Sequence, residues 1–179
     1  MPARQTIART IRLEPSIDNV LKQEADQSGL THTAITTKAL RKYVTFDRFA
    51  DKTGSLTISK ETISRILAFL SDEEAEVVGS VANFAGKNAR QYMNLLLGSS
   101  TIADLFSLLQ ILSTYAHLFE FEHQIEGAKH HLIFAHSMGS KWSSFLQGAV
   151  QSTLKETFGI RAKFDKTESL LSCTFEFRM

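Results

Sequence analysis

"ARTIRLEPSIDNVLKQEADQSGLTHTAITTKALRKY" (residues 8–43) opens with a short alternating run and continues as two amphipathic stretches joined at a glycine. From residue 5 to 13, Ile7, Ile11 and Leu13 share one side of an extended chain, while Thr6, Ala8, Thr10 and Arg12 take the other. Arg9 interrupts the apolar side. Pro15 suits the first position of a helix, and Ile17, Val20, Leu21 and Ala25 follow at helical spacing. Gly29 predicts a left-handed end to that helix, with Leu30 folding back on it. Thr31 or Thr33 caps a second helix, whose apolar stripe is Ala34, Ile35, Ala39, Leu40 and Tyr43. The expected order is strand, helix, helix.

A unit of this size with one strand cannot bury an adequate core, and an unpaired strand leaves a row of backbone N–H and C=O groups unsatisfied. The same strand of a second subunit would pair with it about a two-fold axis, which predicts a homodimer. The charge distribution points to an anionic partner. Up to residue 50, eight basic residues stand against five acidic ones, a balance of +3 within a chain whose total is +1.

On "IRLEPSI", "GLT" and "TAITTKALRKY", at uninterrupted spacing, the N-terminal quarter resembles the ribbon-helix-helix DNA-binding domains of the Arc, MetJ and CopG kind. The resemblance implies an intersubunit β-ribbon in the major groove of double-stranded DNA, where Thr6, Ala8, Thr10 and Arg12 face base edges. Arg12 could donate two hydrogen bonds to guanine, Thr10 could bond in either sense, and Ala8 could touch a thymine methyl. Phosphate contacts would come from Thr31, His32 and Thr33 at the start of the second helix, together with Lys38. Arg9 departs from the apolar inward face of that pattern.

Beyond residue 50 the chain continues through a turn-rich connection with Gly54 and Ser55, and a domain boundary is expected near Asp51. Residues 51–115 read as a helical layer. One helix is capped by Ser59, another starts after Ser71, Gly79 and Gly86 interrupt the stretch that follows, and a last helix carries Leu105, Leu108, Leu109 and Leu112. Residues 116–179 change period. "HLFEFEH" and "HHLIFAH" alternate around "QIEGAK" as a hairpin, and 137–158 is an amphipathic helix presenting Trp142, with Ser137 or Ser140 as its cap. Residues 160–164 and 171–177 form a second hairpin, with Leu171, Cys173, Phe175 and Phe177 inward. The fold class expected is α+β, ending in a four-stranded antiparallel sheet with a covering helix in ββαββ order. This last part loosely resembles the small ligand-binding modules of prokaryotic regulators, such as the 4-vinyl reductase domain.

A hairpin register centred on the loop would set His123 opposite His130 and His117 opposite His136. That suggests a metal-responsive regulator like the nickel-responsive ribbon-helix-helix proteins, although the helix offers no third ligand, and aromatic-flanked strand histidines are the simpler reading. No phosphate-cradling glycine loop or nucleophile with its base is visible, and the single cysteine, Cys173, falls in an apolar alternation. The expectation is a cytoplasmic transcriptional regulator, a repressor rather than an enzyme. It would need no cofactor or resident metal and would make no membrane contact. A second dimer or tetramer contact is expected within residues 56–179, with a small-molecule effector pocket between the sheet and helices near Trp142. The competing expectation is an antitoxin that regulates its own operon, against which stand the many aromatics of the last third, since antitoxin tails are commonly disordered.

Overall fold

A computed structural model describes residues 7–82 and 84–178. The chain divides into two compact units between Val44 and Thr45.

In the first unit, α1 (Pro15–Ser28) starts with proline in its first turn and ends at Gly29, with φ of 66°. Leu30 N–H returns to the Ala25 carbonyl at 3.1 Å, the closure of a left-handed helix end. Thr31 caps α2 (His32–Lys42), its hydroxyl accepting from Ala34 N–H at 3.2 Å. The two helices bury only Ala25 and Ile35. The expected strand at 5–13 is corrected in part. Residues 7–14 form no strand, and the first regular element is α1. A strand exists only through hydrogen bonds to a neighbour, and among the described residues no other segment supplies one. Gln5 and Thr6 lie outside the described residues.

The second unit begins with a π-helical turn (Tyr43–Asp47) that straddles the division, then α3 (Arg48–Ala50) and a 3₁₀ turn ending at Gly54. Next come α4 (Lys60–Leu67), capped by Ser59, and α5 (Asp72–Ser80), closed by a reciprocal Ser71–Glu74 capping box. Helix α6 is Gly86–Leu97, and α7 (Ile102–Ile111) is capped by Thr101 and Asp104. A second π-helical turn (Leu112–Ala116) leads to His117, which ends it in the left-handed region at φ 53°.

The sheet follows: β1 (Glu120–Glu126), β2 (Lys129–Ala135), then α8 (Ser140–Phe158), β3 (Lys163–Lys166) and β4 (Leu170–Glu176). All pairs are antiparallel, in spatial order β1-β2-β4-β3. The ββαββ order read from the alternation is therefore the observed one, and Leu171, Cys173 and Phe175 do point into the core. Three local expectations change. The first strand of the second hairpin, expected at 160–164, is β3 at Lys163–Lys166. The cap of α8 is Gly139, with no side-chain cap, so neither Ser137 nor Ser140 serves; Ser140 is the first helical residue. Phe177 lies past the end of β4 and is half-buried.

Leu67, Met93, Leu105 and Leu108 from the helices and Leu132, Phe134, Leu146 and Leu171 from the ββαββ segment belong to one buried cluster. The helical layer and the sheet thus share a core. Helix α8 lies at its centre because both its sides are apolar or small. One side carries Trp142, Leu146, Val150 and Leu154, and the other allows α5 to approach to backbone contact at Gly79 and Gly148. Gly86 is docked on α8 as well, its N–H donating to Thr153 Oγ1 at 3.0 Å and its carbonyl accepting from Thr157 Oγ1 at 3.3 Å. Among the described residues no single helix is long and apolar enough to cross a membrane.

Candidate functional site

Ala8, Thr10 and Arg12 lie on the exposed irregular segment before α1, and Thr6 falls outside the described residues. At the start of α2 the Thr31 hydroxyl is spent on Ala34 N–H, and Ile35 N–H bonds the Thr31 carbonyl. The backbone N–H groups of His32 and Thr33 are left to an outside acceptor, where the positive end of the helix dipole reinforces them. The His32 ring is turned inward. Its Nε2 sits 3.3 Å from Asp18 Oδ1 without hydrogen-bond alignment, while Lys22 Nζ holds the other Asp18 oxygen at 2.6 Å. That lysine, before the neighbouring histidine, keeps the Asp18 carboxyl below the usual aspartate range. Of the four residues expected to contact phosphate, Thr33 and Lys38 are exposed, whereas the side chains of Thr31 and His32 are engaged inside the unit.

The apolar side of this unit is open. Ile7, Val20 and Leu40 are 74%, 63% and 57% exposed, and Ile11, Ile17, Leu30 and Tyr43 are exposed with them. Isolated exposed leucines need no explanation, but this unit exposes nearly every large apolar residue it has.

In the second unit the histidines occupy two separate places. The β1–β2 turn is only Gly127-Ala128, with Glu126 paired to Lys129 and glycine (φ 62°) at the first central position, where a II′ turn requires it. The expected register is therefore corrected by two residues: His123 lies opposite Leu132, and His130 opposite Ile125. A shift of two preserves the faces, so His123 and His130 still meet diagonally, Nε2 to Nδ1 at 2.9 Å. His130 Nε2 lies 3.2 Å from the Phe177 carbonyl and must carry the proton there. His130 Nδ1 then accepts, and His123 Nε2 donates. Phe106 packs on His123 and Phe175 on His130, with centroids 3.9 Å and 5.2 Å apart. Burial first, and His130 second, hold His123 below the usual histidine range. This is a hydrogen-bonded pair inside an aromatic stack.

His117 and His136 lie elsewhere. His136 Nε2 is 2.9 Å from Ser143 Oγ, and Ser143 donates to the Thr167 carbonyl at 2.6 Å. Met138 N–H donates to His136 Nδ1 at 3.3 Å. The chain of donors runs from histidine to serine to carbonyl, which orients the ring and gives Ser143 no base. Ser143 is also fully buried. His117 and His136 line one open cleft with Lys60, Phe119, Glu120, Ala135 and Ser137. Burial, then the Lys60 charge, push His136 below the usual histidine range. Lys60 and Glu120 give no sequence signal of this place, because α4 and β1 are brought together only by packing. Among the described residues no three His, Cys, Asp or Glu side chains converge as a metal site requires. Comparison with protein-family models and with curated proteins finds no match to this chain.

Proposed function

We propose that the chain is a sequence-specific DNA-binding transcriptional regulator, a repressor, that acts as a homodimer of the ribbon-helix-helix type. Residues 7–13 of two subunits would pair about a two-fold axis into an antiparallel ribbon, with the four helices α1 and α2 packed beneath it. The observation that carries this reading is the open apolar side of the first unit. Two helices that bury only Ala25 and Ile35 lack a core, and a second copy offers Ile7, Ile11, Ile17, Val20 and Leu40 a matching surface. Pairing would also give residues 7–13 the strand neighbour that they lack among the described residues.

In that dimer Ala8, Thr10 and Arg12 would face the major groove, together with Thr6. The free N–H groups of His32 and Thr33 and the exposed Lys38 would set the register on the phosphates. The second unit would then couple subunits or sense an effector. Its single core, from Leu67 to Phe175, supports that reading over an antitoxin tail, which orders only on binding.

The test is selection of bound fragments from the native genome by the purified full chain, with its mass in solution measured alongside. Enrichment of discrete sites containing an inverted repeat, bound by an even number of chains, is the expected result. A monomer at all working concentrations, or fragments enriched without a common sequence, would refute it.

A further inference from the structure

The cleft at the upper end of the sheet has a volume of about 350 Å³ and is built from four separate segments. Lys60 comes from the first turn of α4, His117 from the end of the second π-helical turn, Phe119 and Glu120 from the start of β1, and Ala135, His136 and Ser137 from the end of β2. Lys60, His117 and Glu120 are exposed, and none of them has a hydrogen-bond or ion-pair partner among the described residues. His136 is different. Ser143 and the Met138 N–H take both of its ring nitrogens, so it forms a fixed wall and gives a ligand nothing. The Met138 carbonyl is in turn held by Ser64 Oγ at 3.2 Å, which ties the far side of the wall to α4. Exposed polar side chains therefore face a partly apolar floor containing Phe119.

We propose that this cleft binds a small metabolite carrying a phosphate or carboxylate group and a neighbouring hydroxyl or ammonium donor. Lys60 supplies a point charge for the anion, and the His117 ring adds an N–H donor. Glu120 repels a bare anion but accepts from a donor beside it, so it selects against simple inorganic ions. The volume suits a compact molecule, at the low end of the range for small-molecule sites. His136 reports on occupancy, because an anion on Lys60 cancels the charge that opposes its protonation. That such a ligand acts as an effector of DNA binding rests on the function proposed above; the binding itself does not.

The test uses the full chain without DNA, so its outcome is independent of the DNA-binding reading. Inorganic phosphate and glycerol 3-phosphate are titrated separately while the histidine ring signals are followed by NMR at several pH values. The expected result is saturable movement of the His117 and His136 signals, an upward shift of the His136 titration, and tighter binding of glycerol 3-phosphate than of phosphate. Lys60→Ala, on an exposed first turn, should weaken both about tenfold, the effect of losing one charge-assisted contact. Glu120→Gln should strengthen phosphate binding while narrowing the preference for glycerol 3-phosphate. Movement that never saturates, or binding indifferent to Lys60→Ala in a variant whose spectrum is otherwise native, would overturn the proposal. So would equal ratios of the two affinities in the parent and in Glu120→Gln.

Discussion

Gly148→Ala tests the packing that places the sheet against the helices. A Cβ built on Gly148 would lie 1.9 Å from the Glu76 carbonyl oxygen, and one built on Gly79 would lie 1.9 Å from the Phe145 carbonyl oxygen. Both obstacles are backbone atoms, so no side chain can rotate away. To bring the Gly148 contact out to an ordinary separation of about 3.4 Å, α5 and α8 must part by roughly 1.5 Å. That loosens the buried contacts of Ala75 and Ala149. Overpacking of this kind costs about 3 kcal/mol at the upper end of its usual range, and the better helix propensity of alanine returns about 1 kcal/mol. A net loss of about 2 kcal/mol is expected, or roughly 4–8 °C in melting temperature for a chain of this size. The assay is urea and thermal unfolding with the denaturant slope held in view. Gly79→Ala should act in the same direction. The double variant should lose clearly less than the sum, because one displacement of α5 clears both clashes. A Gly148→Ala chain as stable as the parent, or strictly additive losses, would refute the argument.

Other outcomes are expected from the same geometry. Under the proposed DNA-binding function, Arg12→Ala should cost about 1–3 kcal/mol at the preferred site and relax specificity there, whereas Lys38→Ala should weaken all sequences alike; binding to specific and random duplexes at fixed salt separates the two. Cys173 is buried, and burial pushes its thiol up to about 12, so it should resist alkylation at pH 8 in the folded chain and react only on unfolding, as mass spectrometry would record. Thr101→Ala removes the cap of α7 and should lower stability by about 1 kcal/mol in urea titrations. Thr101, through its hydroxyl and its N–H, and Ser99 hold the Asp104 carboxyl below its ordinary 3.8. The stability Asp104 adds is therefore complete above that value and lost as pH falls through its lower folded value. Asp104→Asn should show a smaller loss of stability between about pH 5 and pH 2 than the parent.

The local elements were legible in the sequence because their causes are local. Pro15, Gly29 and Thr31 bound two helices through backbone chemistry confined to a few residues, and the Ser59 and Ser71 caps act in the same way. The ββαββ order could be read from a change of hydrophobic period, since alternation and helical spacing imply different buried faces. The alternation read at 5–13 has another character: a strand exists only beside a hydrogen-bonded neighbour, and no described segment pairs with residues 7–13, so the pattern alone makes no strand there. The meeting of His123 with His130 survived a wrong register because a shift of two residues keeps each side chain on its face. The grouping of His117 with His136, apart from that pair, was also legible, since six residues of strand place His117 about 20 Å from His123, and His117 and His136 line one cleft. Only tertiary packing decided that the helices and the sheet share one core, that glycines read as interruptions let α5 and α8 touch, and that Lys60 and Glu120 line a cleft with two histidines. Sequence spacing reports neighbours within about one helical turn or across one hairpin, whereas these contacts join segments that meet only when the whole unit buries its apolar surface.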